Sequence, residues 1–468
     1  MTDMRVGDAA HGGTGTGDRT WTIRSARAAI ATVWQRHGDL LSNAGSLLAT
    51  TGVTSALGFA YWIVAARTFS QSAVGYGSAA VSAMMLLGTI GMLGLNTLLI
   101  GELPRRTHRA GLVSAALITS GLGSLVLALG FVLVAPHVST RFADMVGRVD
   151  RAAVFAIGVA LTGVSLVFDE ATIGLMRGGL QLRRNVAFAI GKLLILPVAA
   201  LVLHDQFGIG ITVSWVAGIA LSLALLAGQL RLAGKPVLAR PDWGVLRGLR
   251  RSAMAHNWLN LALMMPMYLL PVLVTLIVSP SANAAFYVAA LLSGLLLIIP
   301  ANLSMVLFAV AAADPQAVAS KLRFALRVSF GIGLPGMAVI FLCGHLALSA
   351  FGSHYAEATV PLYLLTLSYP ATVPKNLYIA VCRASGQIPR AATILTICAS
   401  AEIAAAAAGG MADGLVGLTL ALLIVRYAEA LVTTPPVLRA AFGRGRHRRL
   451  AAGSMLTTGS TTSRRPGA

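Results

Sequence analysis

Asp169 and Lys375 are a carboxylate and an ammonium set inside long apolar runs, 206 positions apart. An ionisable side chain near a bilayer centre costs about 3 kcal/mol or more, so it tends to face a cavity or a partner of opposite charge. The same offset of 206 relates two longer stretches. Residues 171–184 (ATIGLMRGGLQLRR) return as residues 377–390 (LYIAVCRASGQIPR), with Ile173, Arg177, Gln181 and Arg184 matched by Ile379, Arg383, Gln387 and Arg390. This register puts Asp169 and Lys375 at equal depth, each about seven residues, or ~10 Å at helical rise, from the end of its segment. The expectation is that they meet across a pseudo-two-fold axis, either as an inner gate or as a permanent structural ion pair.

Other residues of this kind follow. Lys192 is placed to pair with Asp169 or Glu170, to offer its ammonium to a phosphate, or simply to snorkel towards the inner surface. Glu402 sits in an Ala-rich run (AEIAAAAA) with no local cation, which makes it the candidate for carrying a coupling ion. Arg426 and Glu429 stand one turn apart on one helix face and are expected to neutralise each other. Asn96 follows Gly88, Gly91 and Gly94, a small-residue face suited to close helix contact, and Arg67 ends the first apolar run. Pro266 and Pro271, in a Met-rich stretch, are hinge candidates because each removes a backbone hydrogen bond from its helix. Substrate or gating candidates are therefore Arg67, Asn96, Asp169, Lys192 and Lys375.

The elements that hold these groups are set by composition. Of 468 residues 56% are hydrophobic and 11% charged, against about 25% charged in soluble domains. Runs of about 20 apolar residues, enough for the ~30 Å hydrocarbon layer, fall at 41–66, 74–100, 111–136, 152–176, 185–203, 207–230, 257–279, 283–310, 326–350, 358–382, 391–408 and 413–437. The reading is an all-α integral membrane protein with 12 transmembrane helices in two pseudo-symmetric six-helix bundles. These are an N-terminal tail (1–40), a first bundle (41–230), a basic linker (231–256), a second bundle (257–437) and a basic tail (438–468).

Lys and Arg orient the chain, because positive loops stay cytoplasmic. The five even-numbered loops hold 17 basic residues, the opposite six hold four (Arg67, Arg141, Arg148, Arg151), and the two tails add five and seven Arg. Both termini are then cytoplasmic in a multi-pass bacterial cell membrane protein, with residues 24–40 a candidate amphipathic helix on the inner surface and both tails otherwise disordered. The formal charge of +20 is accounted for by this asymmetry and by attraction to anionic membrane lipids, and calls for no nucleic acid. Cys343, Cys382 and Cys398 read as packing residues. There is no Walker loop, GxSxG, HExxH or dinucleotide fingerprint. The expectation is a non-enzyme with no catalytic residues, no metal and no cofactor, driven by an ion or substrate gradient.

A further set of residues resembles a known family. Asn43-Ala44-Gly45, Ala65-Ala66-Arg67-Thr68-Phe69-Ser70, Val74-Gly75-Tyr76-Gly77, Gly94-Leu95-Asn96-Thr97 and Leu103-Pro104-Arg105 resemble the opening of Wzx-like polysaccharide flippases of the multidrug/oligosaccharidyl-lipid/polysaccharide exporter superfamily. Tyr76–Ala80 also align with Phe286–Ala290 at an offset of 210, whereas Arg67 has no basic twin. The resemblance implies a V-shaped pair of bundles working by alternating access, with a polyprenyl-pyrophosphate-linked oligosaccharide or related glycolipid as cargo. Polysaccharide polymerases or glycosyltransferases would be partners. The competing classes are a cation-coupled multidrug antiporter of the same superfamily, which needs an acidic cavity, and a non-transporting scaffold of a polysaccharide-assembly locus. The first apolar run, 41–66, contains no Asp or Glu, which favours the flippase.

Overall fold

The computed structural model describes residues 52–106, 109–203, 207–234, 239–313 and 318–443. The tail expectations for 1–40 and 444–468, the start of the first span and the Asn43-Ala44-Gly45 motif lie outside the described residues. What is described is helical. α1 (52–68) leads to α2 (Gln71–Gly91), α3 (Leu95–Glu102), α4 (Arg109–Val138), α5 (Thr140–Val146), α6 (Val149–Gly174), α7 (Gly178–Val202) and α8 (Ile209–Leu232). Then come α9 (Trp243–Ile277), α10 (Pro280–Gly294), α11 (Ile298–Ala313), α12 (Val318–Ser349), α13 (Thr359–Leu367), α14 (Tyr369–Ala384) and α15 (Ile388–Phe442). Among the described residues nine helices are long and apolar enough to cross a membrane.

Several helices differ from the apolar runs in ways that matter for the polar residues. The run 74–100 is two helices, α2 and α3, parted where Leu93 and Gly94 take positive φ (51° and 79°). A short 3-10 turn, Leu295–Leu297, parts α10 from α11. α15 holds two apolar runs as limbs either side of Asp413 and Gly414, whose backbone is non-helical. α7 starts at Gly178 rather than 185, which takes Arg184 out of the expected loop and into a helix. The 231–256 stretch is largely helix: α8 reaches Leu232 and α9 begins at Trp243. Its middle is docked on α4, with Ala239 N–H donating to Ser114 Oγ (2.9 Å) and Asp242 N–H to the Gly111 carbonyl (3.1 Å). α9 runs through Pro266 and Pro271, the two hinge candidates, as one helix.

Packing in a bilayer depends on close van der Waals fit, and small residues sit where helices touch. A Cβ on Gly91 would strike Ser124 of α4, and one on Gly88 would come within 2.9 Å of Thr162 of α6, so this face of α2 is a packing face. Two apolar clusters mix both halves of the chain: in one, Tyr61, Trp62, Val74 and Ile211 pack with Val274, Phe286, Phe351, Leu362 and Leu418, and in the other Tyr76, Met84 and Phe155 pack with Val272. Two others are confined. Met92, Leu99, Leu103, Leu112 and Val167 form a first-half cluster joined by Leu246 from the start of α9, and Leu259, Leu322, Tyr369, Leu377 and Leu395 form a second-half cluster. Cys382 and Cys398 are buried as expected, whereas Cys343 is exposed.

Candidate functional site

The repeat is visible in the backbone, but at a different register. Where α6 ends, the N–H groups of Leu175, Met176 and Arg177 donate to the carbonyls of Ala171, Ile173 and Thr172. Where α14 ends, Ser385, Gly386 and Gln387 donate to Val381, Arg383 and Cys382 in the same pattern. Both turns close with a left-handed residue, Met176 (φ 54°) and Gly386 (φ 69°), the helix-ending motif that satisfies the last carbonyls. These matched residues differ by 210 in number, the offset of the Tyr76 and Phe286 stretches, and not by 206. Lys375 is therefore equivalent to Ser165, one helical turn from Asp169.

The expected contact between Asp169 and Lys375 is absent, and each finds a partner in its own half. Arg184, from the second turn of α7 and only 5% exposed, donates Nη2 to Asp169 Oδ2 (2.6 Å) and to Asn185 Oδ1, and Nη1 to Ser165 Oγ. Lys375 Nζ lies 2.5 Å from Glu402 Oε1 and 2.8 Å from Glu429 Oε2. Arg426 Nε reaches Glu402 Oε2 at 3.2 Å, and its Nη1 donates to Ser368 Oγ at 2.9 Å. Two more expectations change here. Glu402 is not a lone acid but lies between two cations. Arg426 and Glu429 do not pair with each other, because α14 and the first limb of α15 bring each a nearer partner.

Glu170, beside Asp169 on α6, has neither an ion pair nor a hydrogen bond among the described residues. Lys192 is a buried cation. It is 5% exposed, with Nζ 3.8 Å from the Trp215 ring centroid, 4.6 Å from Phe188 and 4.7 Å from Tyr61, and among the described residues it has neither carboxylate nor hydrogen-bond acceptor. Tyr61 is itself committed, its hydroxyl lying 2.8 Å from Ser214 Oγ and 3.1 Å from the Ile211 carbonyl. Lys192 is 14 residues from the start of α7 and 10 from its end, close to mid-helix. The rings continue towards the other half: Trp62 lies against Trp215 (6.3 Å) and against Tyr287 of α10 (4.6 Å).

Contacts between the halves form a third group. Asn283 of α10 donates Nδ2 to the Gly75 carbonyl (2.8 Å) and Ser78 Oγ (3.0 Å), and a Cβ on Gly75 would run into the Pro280 carbonyl. Arg67, at the end of α1, donates to the carbonyls of Ala350 (3.0 Å) and Ser349 (3.3 Å) at the end of α12. Arg141 of α5 donates to Thr275 (2.8 Å) and Leu276 (2.6 Å) in the last turn of α9. A guanidinium is well matched to helix C-termini, whose carbonyls are unpaired and carry partial negative charge. Arg67 is thus asymmetric, as the missing twin implied. The Asn96 side chain lies outside the described residues, and among those described no His, Cys, Asp and Glu group could hold a metal ion.

Arg184, Arg141, Asn283 and the rings around Lys192 escaped sequence reasoning. Arg184 and Arg141 were counted as loop charges, which hid them. Phe188 and Lys192 did carry a signal, being four apart on one helix face.

The fold is similar to that of solved transporter structures. An inward-facing multidrug resistance MATE family transporter of the MOP superfamily superposes with a TM-score of 0.61 at 15% identity, over 87% of this chain and 96% of that one. The chain has the fold of the MOP-superfamily transporters. The Vibrio cholerae MATE transporter VcmN, as a mutant, gives a TM-score of 0.55 at 14% identity over 91% and 100% of the two chains. A MOP-superfamily transporter from Pyrococcus furiosus, described as having a binding pocket of reversed polarity that suggests a different function, gives 0.52 at 15% over 88% and 95%. No family profile and no characterised protein's sequence matches this chain.

Proposed function

We propose that this protein is a flippase that carries a polyprenyl-pyrophosphate-linked oligosaccharide, or a related glycolipid, from the inner to the outer leaflet by alternating access without ATP hydrolysis. The observation that carries this reading is the state of the acids in the membrane. Glu402 and Glu429 are held by Lys375 and Arg426, and Asp169 by Arg184, so these sites are neutral and offer little to a cationic drug. Twelve spans in two six-helix bundles, both termini cytoplasmic in a bacterial cell membrane, complete the proposal. On that topology the contacts of Asn283, Arg67 and Arg141 all lie on the external side, while the confined clusters lie on the cytoplasmic side. The conformer then reads as closed outwards and parted inwards.

A second reading, cation-coupled multidrug antiport, is favoured by the MATE relatives and by Glu170, an acid with no counterion among the described residues. Deleting the gene separates the two. Loss of an exported polysaccharide with unchanged dye and drug susceptibility is the expected result. Normal polysaccharide with drug hypersensitivity, reproduced by Glu170→Gln, would establish the antiporter instead.

A further inference from the structure

The register of 210 has a corollary for two charged residues. α7 begins at Gly178 and α15 at Ile388, so Lys192 and Glu402 stand at the same step of equivalent helices. Both are buried, at 5% and 3% exposure. Their surroundings are opposite. Glu402 has Lys375 and Arg426 against its two oxygens, and is fully paired within the protein. Lys192 has the faces of Trp215, Phe188 and Tyr61. Ring faces attract an ammonium through their quadrupoles but provide no lone pair for its three N–H donors. A site one symmetry step from a closed ion-pair network thus has a cation and lacks the anion.

We propose that Lys192 is the receptor for the phosphate of the cargo, and that the pyrophosphate of a polyprenyl-linked substrate supplies the missing anion. This deepens the flippase reading and rests on it. An ammonium is a compact charge suited to a phosphate oxygen, and the surrounding low-dielectric rings strengthen that attraction. The rings continue from the site: Trp62, buried at 2% exposure, links Trp215 beside Lys192 to Tyr287 of α10. The position near the middle of α7 is where transporters of repeated design bind their cargo.

The test uses the full chain in lipid nanodiscs with a radiolabelled polyprenyl pyrophosphate, and inorganic pyrophosphate as competitor. Saturable binding is expected in the wild type, weakened at least about tenfold by Lys192→Gln and by the more apolar Lys192→Met, as for loss of one hydrogen bond to a charged group. Lys192→Arg, which keeps the charge, should stay within about threefold. Equal affinity of Gln, Arg and wild type would overturn the assignment while leaving the flippase reading intact. No binding of the lipid probe to the wild type would overturn both. Competition by inorganic pyrophosphate at the same concentration as the lipid would mean that the site serves a soluble phosphate, and would overturn the lipid-linked cargo.

Discussion

Lys375 Nζ sits 2.5 Å from Glu402 Oε1, joining α14 to the first limb of α15, and its second bond to Glu429 joins the other limb. One ammonium therefore ties three helical segments. Its two acids are held in place by covalent continuity, since both ride on α15 either side of the Asp413-Gly414 bend.

Lys375→Met is expected to be the most damaging single change in this network. It leaves two buried carboxylates with only Arg426 to share, and breaking a buried pair costs about 3–5 kcal/mol. Lys375→Met with Glu429→Gln should recover part of that loss. A double-mutant cycle on the melting temperature of the purified protein checks this, with a coupling near zero as the contrary result.

Asp169 and Lys375 should behave as independent sites. Asp169→Asn and Lys375→Met are expected to add to within about 0.5 kcal/mol. Arg184→Met should be milder in the presence of Asp169→Asn than alone. The same thermal measurements decide it.

How far the sequence led is clearest at this pair. It placed both charges in long apolar segments that are helical and found the repeated stretch that ends α6 and α14, because hydrophobic length and buried charge are written in composition. It misjudged the register by one turn, and the reason is physical. Ile173, Arg177, Gln181 and Arg184 recur every three or four residues, so on a helix of 3.6 residues per turn a shift of four overlays nearly the same face. The end of the helix, where Met176 and Gly386 turn left-handed, fixes the register instead, and a methionine there gives no sign of it. Partner choice was equally hidden: Glu402 and Lys375 are 27 positions apart and meet only because α15 folds back beside α14.

Loosening the contacts between the halves should open the external side. Asn283→Ala or Arg141→Ala removes two hydrogen bonds, each worth about 1 kcal/mol, which would move a two-state population roughly thirtyfold. A cysteine at Ala80, in a background lacking Cys343, Cys382 and Cys398, should then react faster with an impermeant thiol reagent added outside. Unchanged reactivity would remove these contacts from the closure.

Orientation is open to the same chemistry. A cysteine replacing Arg148, which is exposed, should be labelled from outside in intact cells. One replacing Arg231 should be labelled only after the membrane is breached. The reverse order would invert the topology.

Arg67 and Arg141 direct their guanidinium groups at backbone oxygens, those of Ser349, Ala350, Thr275 and Leu276. An acceptor of that kind survives any substitution that preserves the helix end. The two repeats can thus drift apart in sequence, one keeping two arginines and the other keeping only its helix termini, without losing the means to recognise each other. At these two contacts selection on side chains acts on the first half of the gene alone, which is the asymmetry to look for when the two halves are mutated at saturation and compared.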